Sequence, residues 1–297
     1  MNWQGVIKSF SGYMKLERGL SDNTVASYRS DLKKIGAWAE SKASKPLALT
    51  AQDIKDYLDH LHGEGITARS QSRALSTLRS LYRFLLLEEW IKTDPTELID
   101  SPKIGRPLPD VLSEDDIDRI ISAIDLSKPE GERNRAILEV LYGCGLRVSE
   151  LTNLQISNLR LRENFVIVTG KGNKQRLVPI NDQAIKYLSI YKDQVRTHQP
   201  VQPGEEDILF LNRRGRRLSR VMIFTIIKDL NDKAGLKKKV SPHNFRHSFA
   251  SHMVNRGANL RVVQEMLGHE SITTTEIYTH LNDTKLKETI QKFHPRS

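Results

Sequence analysis

One cysteine, Cys144, stands in the 297 residues, so no intrachain disulfide can staple the fold. It lies between Gly143 and Gly145 beside an apolar helix, and reads as a small packed residue rather than a nucleophile. No apolar run approaches the ~20 residues of a membrane span. The opening MNWQGVIKSF lacks the basic and apolar regions of a signal peptide, so a reducing cytoplasm is the expected setting. Internal repeats and low-complexity segments are missing, which excludes solenoids and arrays. No Walker motif is present, so no nucleotide-cradling loop is expected. A zinc motif is missing too. His243 and His247 have the i,i+4 spacing of zinc ligands, but Asn244 stands where H-E-x-x-H needs a glutamate, and Arg246 puts positive charge between the histidines.

Acid is also in deficit. Lys and Arg number 46 against 36 Asp and Glu, a formal charge of +10, and the pI is about 9.6. Such a balance suggests a polyanionic partner such as nucleic acid; ordinary solubility charge is the plainer reading. The excess is uneven. Residues 1–101 hold 14 Lys and Arg against 13 Asp and Glu, and residues 102–297 hold the other 32 against 23.

Residues 1–101 read as helices. Trp3, Val6, Ile7, Phe10 and Met14 keep helical spacing until Gly19 interrupts. Ser21 can cap a second helix with Val25, Tyr28, Leu32 and Ile35 on one side. Thr50 and Asp53 suggest a capping box for a third, with Ile54, Tyr57, Leu58 and Leu61. A fourth carries Leu75, Leu78, Tyr82 and Leu85 and ends before Asp94-Pro95. Arg69, Arg73, Arg79 and Arg83 decorate it, as a solvated face or as phosphate contacts. Pro102, Pro107 and Pro109 make residues 102–112 an extended linker. Ser113, with Glu114, Asp115 and Asp116 behind it, opens a second domain over 113–297. Phe165–Val168 and Arg176–Ile180 are β-rich and flank a turn at Lys171, so they predict a hairpin. Asp207–Leu211 is a candidate further strand. The rest is helical, which gives a mainly α fold with a small antiparallel hairpin or sheet, in two domains. Arg213, Arg214, Arg216, Arg217 and Arg220, with Lys237, Lys238 and Lys239, fit either solvated loops or contacts that position a duplex without reading it.

The chain is organised around 241–278. Ser241-Pro242 is a helix start. His243 and Arg246 project from one side of that helix, while Phe245, Phe249 and Met253 form a separate stripe for the core. Asn259 caps a short helix with Val262, Val263, Met266 and Leu267, and Gly268 ends it. His269 follows, and Ser271 can cap a last helix that carries Tyr278. A tyrosine hydroxyl titrates near ~10. It becomes a nucleophile toward phosphorus only if a base takes its proton and cations hold the phosphate. GLRVSEL supplies Arg147 after a glycine turn, and GKGNKQRLVP supplies Lys171 at the hairpin tip. Beyond Tyr278, Leu286, Ile290 and Phe293 fall at i, i+4 and i+7, one apolar stripe on a terminal helix.

GLRVSEL, GKGNKQRLVP, HNFRHSFASH and LGH followed by Tyr278, in that order, resemble the tyrosine recombinases, also called phage-integrase-like recombinases. Within that family, RGLSDNTVASYRSDL and the near-absence of insertions look most like the Xer group, in particular its D-type subunit. The resemblance implies a helical core-binding domain that clamps DNA over 1–101 and a catalytic domain over 113–297. It further implies that Tyr278 forms a 3′-phosphotyrosyl link, that Arg147 and Arg246 hold the non-bridging oxygens, and that Lys171 is the general acid, with Lys174 an alternative occupant. His243 would accept the tyrosine proton and His269 would hydrogen-bond the phosphate; His247 and His252 would be structural. No metal or nucleotide cofactor is required, because each transesterification stores the broken bond. The expected function is site-specific recombination that resolves chromosome dimers at cell division, with a mobile-element integrase as the alternative. The implied partners are a double-stranded recombination site, a tetramer on two sites, a related XerC-type subunit and an FtsK-type DNA translocase, with residues 281–297 as the tail helix for subunit contact. Three rivals are a zinc metalloenzyme through His243 and His247, which Asn244 and Arg246 argue against, a non-catalytic DNA-binding protein, which leaves the full motif set unexplained, and a type IB topoisomerase, which shares the tyrosine chemistry but acts as a monomer.

Overall fold

The computed structural model describes residues 1–102, 105, 111–170, 173–268 and 280–297, the stretch 280–283 by its backbone only. The chain divides into two compact units, Met1–Leu108 and Pro109–Ser297.

The first unit is helical. It contains α1 (Trp3–Leu16), α2 (Asp22–Ser41), α3 (Ala51–Gly63) and α4 (Ala68–Leu87). Each begins at a side chain that satisfies an orphan N–H of the first turn. Asn2 accepts from Gly5, Ser21 from Thr24 and Thr67 from Ser70, and Thr50 with Asp53 forms a reciprocal capping box. The apolar stripes expected from the sequence meet in one core that includes Trp3, Phe10, Leu32, Ile35, Leu75, Leu78 and Tyr82. Fully burying a side chain of this size contributes roughly 1.5–3 kcal/mol. Two arginines of α4 serve this fold. Arg73 donates to the buried Asp31 carboxylate at 2.9 Å, and Arg79 donates to the Ser101 hydroxyl and the Ile99 carbonyl where the chain leaves the unit.

The second unit adds α5 (Glu114–Ser122), α6 (Gly131–Cys144), α7 (Val148–Thr152), α8 (Asp182–Ile190), α9 (Arg220–Lys233), α10 (Pro242–Asn255), α11 (Leu260–Leu267) and α12 (His280–Phe293). Its sheet has three antiparallel strands in the order β1 (Leu159–Arg160), β2 (Phe165–Thr169), β3 (Gln175–Pro179). The expected hairpin is β2 and β3, with Val166 opposite Val178 and Thr169 opposite Gln175. The short β1 adds a third strand that carries no sequence signal. Asp207–Leu211 does not form a ladder. Residues 208–211 are buried, and they pair singly with separate segments, as in the bridges of Gln155 to Ile208 and of Leu211 to Arg217.

Helix α6 is the centre of the unit, with every residue from Ala136 to Leu146 buried. Cys144 lies there, fully enclosed; burial pushes its thiol well above the ordinary range. Leu286 and Ile290 of α12 are buried in the core of their own unit, with Phe293 packed against it. Beyond α12, the His294 Nδ1 accepts from Asn181 at 2.9 Å and from the Arg296 backbone at 3.1 Å. Its Nε2 reaches the Tyr142 carbonyl at 3.3 Å. Arg296 pairs with Asp118 and, at 2.8 Å, with Glu139. The tail is thus docked on its own unit. Among the described residues, no helix is long and apolar enough to cross a membrane.

Candidate active site

Helix α6 ends at Gly145, whose φ of 59° places it in the left-handed region that favours glycine. A Cβ there would also lie 2.6 Å from the Phe249 ring. The reversal delivers Arg147 to the N-cap of α7. Its backbone N–H donates to Glu150 Oε2 at 2.8 Å, and its Nη1 donates to Glu150 Oε1 at 2.9 Å. The i,i+3 spacing makes this local pair. Glu150 itself is buried, 3% exposed, and an isolated carboxylate there would be costly.

Two further arginines resolve that cost. Arg176, from β3, grips Glu150 with both ends of its fork, at 2.8 Å and 3.0 Å. Arg246, from α10, comes within 4.0 Å of Oε2. Burial alone would raise the Glu150 carboxyl, but the Arg176 fork, with Arg147 behind it, brings it below the usual carboxylate range. Three guanidinium groups on one carboxylate leave a local excess of two positive charges.

The same arginines close the end of α11. An α-helix leaves its last carbonyls unpaired and its C-terminus partially negative, so cations are stabilising there. Arg176 Nε donates to the Met266 carbonyl at 3.1 Å, Arg246 Nη2 to Leu267 at 2.6 Å, and Arg147 Nη2 to Gly268 at 3.0 Å. Gly268, at φ 65°, ends the helix as expected. A Cβ on it would meet the Arg176 side chain, Cδ to Cζ, at 2.9–3.1 Å. Arg246 Nη1 also holds the Gly145 carbonyl at 2.7 Å.

The two arginines singled out from sequence differ in depth. The Arg147 side chain is 42% exposed and that of Arg246 only 8%. Burial first, and then the charge of Arg147, brings Arg246 down to about 10, which still leaves it protonated at neutral pH. His243 is exposed in the first turn of α10, one turn before the buried Arg246. Ser241 donates its N–H and hydroxyl to Asn244 Oδ1 at 3.0 Å and 2.6 Å, so the residue that replaces a zinc-motif glutamate secures the helix start. His252 is buried, with Nδ1 2.7 Å from the Tyr142 hydroxyl. Lys171, His269 and Tyr278 lie outside the described residues, as does Ser271. Arg176 escaped the sequence reading. The signal was strand alternation, which puts it on the same face of β3 as the buried Val178.

The remaining cations are scattered. Arg69, Arg83, Lys174, Arg214, Arg216, Arg220, Lys237 and Lys239 are exposed. Arg213 is paired with Glu130 at 2.8 Å, Arg217 with Glu205 at 2.9 Å and Lys238 with Asp116 at 2.6 Å.

A cluster of arginines with spare positive charge has the chemistry that suits an oxyanion. Residues 110–285 match the phage integrase family, and residues 7–89 match the phage integrase N-terminal SAM-like domain. The chain belongs to the phage integrase family. It is 42% identical over 293 residues to the tyrosine recombinase XerD of Staphylococcus aureus, covering 98% of this chain and 99% of that one. A crystal structure of XerA recombinase shares 34% identity, with full coverage of both chains and a TM-score of 0.51. The XerH site-specific recombinase, bound to a palindromic difH substrate in a post-cleavage complex, shares the fold, with a TM-score of 0.72, 22% identity and coverage of 95% and 83%. The chain is a tyrosine site-specific recombinase that cuts and rejoins DNA.

Proposed function

We propose that the guanidinium cluster around Glu150 is the phosphate-binding floor of the strand-transfer site. The observation that carries this reading is the excess of positive charge with Arg147 half-exposed at its edge and Arg246 behind it. Guanidinium forks match phosphate geometry and stay charged at any working pH. Arg147 and Arg246 would bind the non-bridging oxygens of the scissile phosphodiester, and charge building on them in the transition state would be met by donors already in place. The Tyr278 oxygen attacks phosphorus and its proton passes to His243. The 5′-oxygen leaves with a proton from Lys171, and His269 hydrogen-bonds the phosphate. The new P–O bond is the 3′-phosphotyrosyl link, and a DNA 5′-hydroxyl reverses the step. In this reading no metal or nucleotide takes part.

The resemblance to XerD extends the proposal to resolution of chromosome dimers, in the cytoplasm, by a tetramer on two DNA sites with a XerC-type subunit and an FtsK-type translocase. Residues 1–101 clamp the duplex, with Arg69 and Arg83 of α4 on its backbone, and 102–112 connect them to the catalytic domain. Arg73 and Arg79, also candidates from sequence, are held by Asp31 and by Ile99 and Ser101. Lys174, Arg213, Arg214, Arg216, Arg217, Arg220, Lys237, Lys238 and Lys239 contact the backbone. Residues 281–297 reach a neighbouring subunit; because Leu286 and Ile290 are buried at home, that contact requires the tail to leave its own core.

The test is Tyr278→Phe on a suicide substrate nicked beside the cleavage point. DNA binding should persist, and the covalent adduct seen with the wild type on denaturing gels should vanish. Adduct at wild-type yield removes Tyr278 from the role.

A further inference from the structure

We infer that Arg176 is a positioning residue of the recombination site, holding Glu150 and the end of α11 so that Arg147 is aimed at the phosphate. This rests on the reading of Arg147 given above. The Arg176 side chain is 9% exposed. Among the described residues, its side-chain hydrogen bonds go to parts of the site: both oxygens of Glu150 and the carbonyl of Met266. The site's parts come from distant segments. Glu150 is 26 residues before Arg176, and Met266 is 90 residues after it. One guanidinium therefore ties β3, α7 and α11 together.

The geometry explains why an arginine is needed. Glu150 orients Arg147 through two hydrogen bonds, one to its backbone and one to its guanidinium. That carboxylate must be ionised and fixed in plane to accept both. The Arg176 fork does this by meeting both oxygens at once, which the point charge of a lysine cannot reproduce. Its remaining Nε–H pins Met266, two residues before Gly268, whose carbonyl is the second support of Arg147. Arg176 thus acts on both anchors of Arg147. A glycine makes room for it: a Cβ at Gly268 would lie 2.9 Å from its Nε and 3.0 Å from its Cζ. Strand β3 is the second arm of the β2–β3 hairpin, so the same side chain couples that hairpin to the arginines.

The experiment is single-turnover cleavage of the nicked suicide substrate at saturating DNA, across pH, for Arg176→Gln, Arg176→Lys, Glu150→Gln and the double variant Arg176→Gln/Glu150→Gln. Misplacing a catalytic group by about 1 Å costs on the order of 100-fold. Arg176→Gln should cleave ~10- to 100-fold more slowly, with single-site affinity within about threefold of wild type. Among the described residues, the groups facing Glu150 are Arg147 of α7, Arg176 of β3 and Arg246 of α10. Loss of the strongest of them should move the acid limb of the rate upward in pH. Arg176→Lys should restore that limb, by keeping the charge, while remaining slow. In the Glu150→Gln background, Arg176→Gln should add much less than it does alone, because the two act as a unit. Wild-type cleavage by Arg176→Gln, or equal losses in both backgrounds with an unmoved acid limb, would overturn the inference. Should Arg176→Gln fail to fold by circular dichroism, Arg176→Lys carries the test: slow cleavage at unchanged affinity supports the inference, and wild-type cleavage refutes it. Arg147→Ala is the control. If Arg147→Ala cleaves normally, the reading of the site fails; if it is inactive while Arg176→Gln is normal, only the role of Arg176 fails.

Discussion

Around Glu150, three guanidinium groups converge on one carboxylate, and the group at the edge is 42% exposed. Around His294, an imidazole sits 3% exposed among Asn181, Tyr142 and Phe249. Both clusters lie in the second unit and both fasten distant segments to α6 or to the turn that follows it. They do so in opposite charge states. The Glu150 cluster keeps its members ionised, because the carboxylate faces three guanidinium groups and these also donate to fixed backbone carbonyls. The His294 cluster keeps its imidazole neutral. Its Nδ1 faces two N–H donors, which leaves no room for a proton there. Burial above all pushes its value down to about 3. An excess of charge suits a site that receives an anion, whereas neutrality suits a clasp that only holds the chain. Substitutions should separate these roles.

The largest effect should come from Arg246. Arg246→Ala should reduce single-turnover cleavage by on the order of 10²–10³, because a donor to the transition state is gone. It should also destabilise the fold by about 1–3 kcal/mol in urea titrations, since the Gly145 and Leu267 carbonyls lose their donors. Arg147→Ala should slow cleavage comparably, with a smaller stability loss, because Arg176 still holds Glu150. If Arg147→Ala were the more destabilising of the two, depth would not be what distinguishes them.

Local chemistry was legible in the sequence, and long-range convergence was not. Ser21, Thr50, Ser113 and Asn259 cap the helices they were expected to cap, because a cap involves neighbours two or three residues apart. The stripe of Phe245, Phe249 and Met253 is fully buried, since period and burial follow from one helix geometry. The spacing of His243 and Arg246 gave their direction but not their depth, which depends on what packs over each turn. Of the contacts of Glu150, spacing makes legible only the i,i+3 pair with Arg147, because its other two arginines arrive from β3 and α10. Strand β1, two residues long, carries too little pattern to stand out, and the apolar run 208–211 read as a strand because burial on all sides resembles a central strand in composition.

The neutral clasp should answer to pH where the charged cluster does not. His294 has its folded-state value depressed to about 3 from an ordinary 6.5. The unfolded chain therefore takes up the proton first as pH falls, so the clasp contributes fully above about 6.5 and is lost progressively toward 3. At pH 5 the loss relative to pH 8 should be about 2 kcal/mol. His252, lowered mainly by burial, adds with the same sign. Glu150, held below the carboxylate range, loses its contribution only at lower pH. Urea unfolding at pH 8, 6.5 and 5 should thus show a decline that is flattened in His294→Gln. Parallel curves for the two proteins would mean that His294 is not the group that titrates.

The smallest effect should appear where one arginine meets one buried carboxylate. In the first unit, Arg73 is paired with Asp31, with side-chain exposures of 58% and 6%. No second or third cation is recorded on that carboxylate among the described residues; the Thr77 hydroxyl reaches it at 3.4 Å. Arg73 is therefore held by the fold, whereas Arg69, four residues earlier on α4, is exposed. Arg73→Ala should cost about 1 kcal/mol of stability, reduced from the value of a fully buried pair because half of Arg73 faces water. Arg69→Ala should stay within about 0.5 kcal/mol. The order should reverse on DNA. Each lost phosphate contact lowers the slope of log affinity against log salt by roughly 0.9, so Arg69→Ala should flatten it and Arg73→Ala should leave it nearly unchanged. Salt titrations of single-site binding decide the matter. If Arg73→Ala flattens the slope as much as Arg69→Ala without loss of stability, Asp31 does not hold Arg73, and α4 presents a continuous row of cations to the backbone.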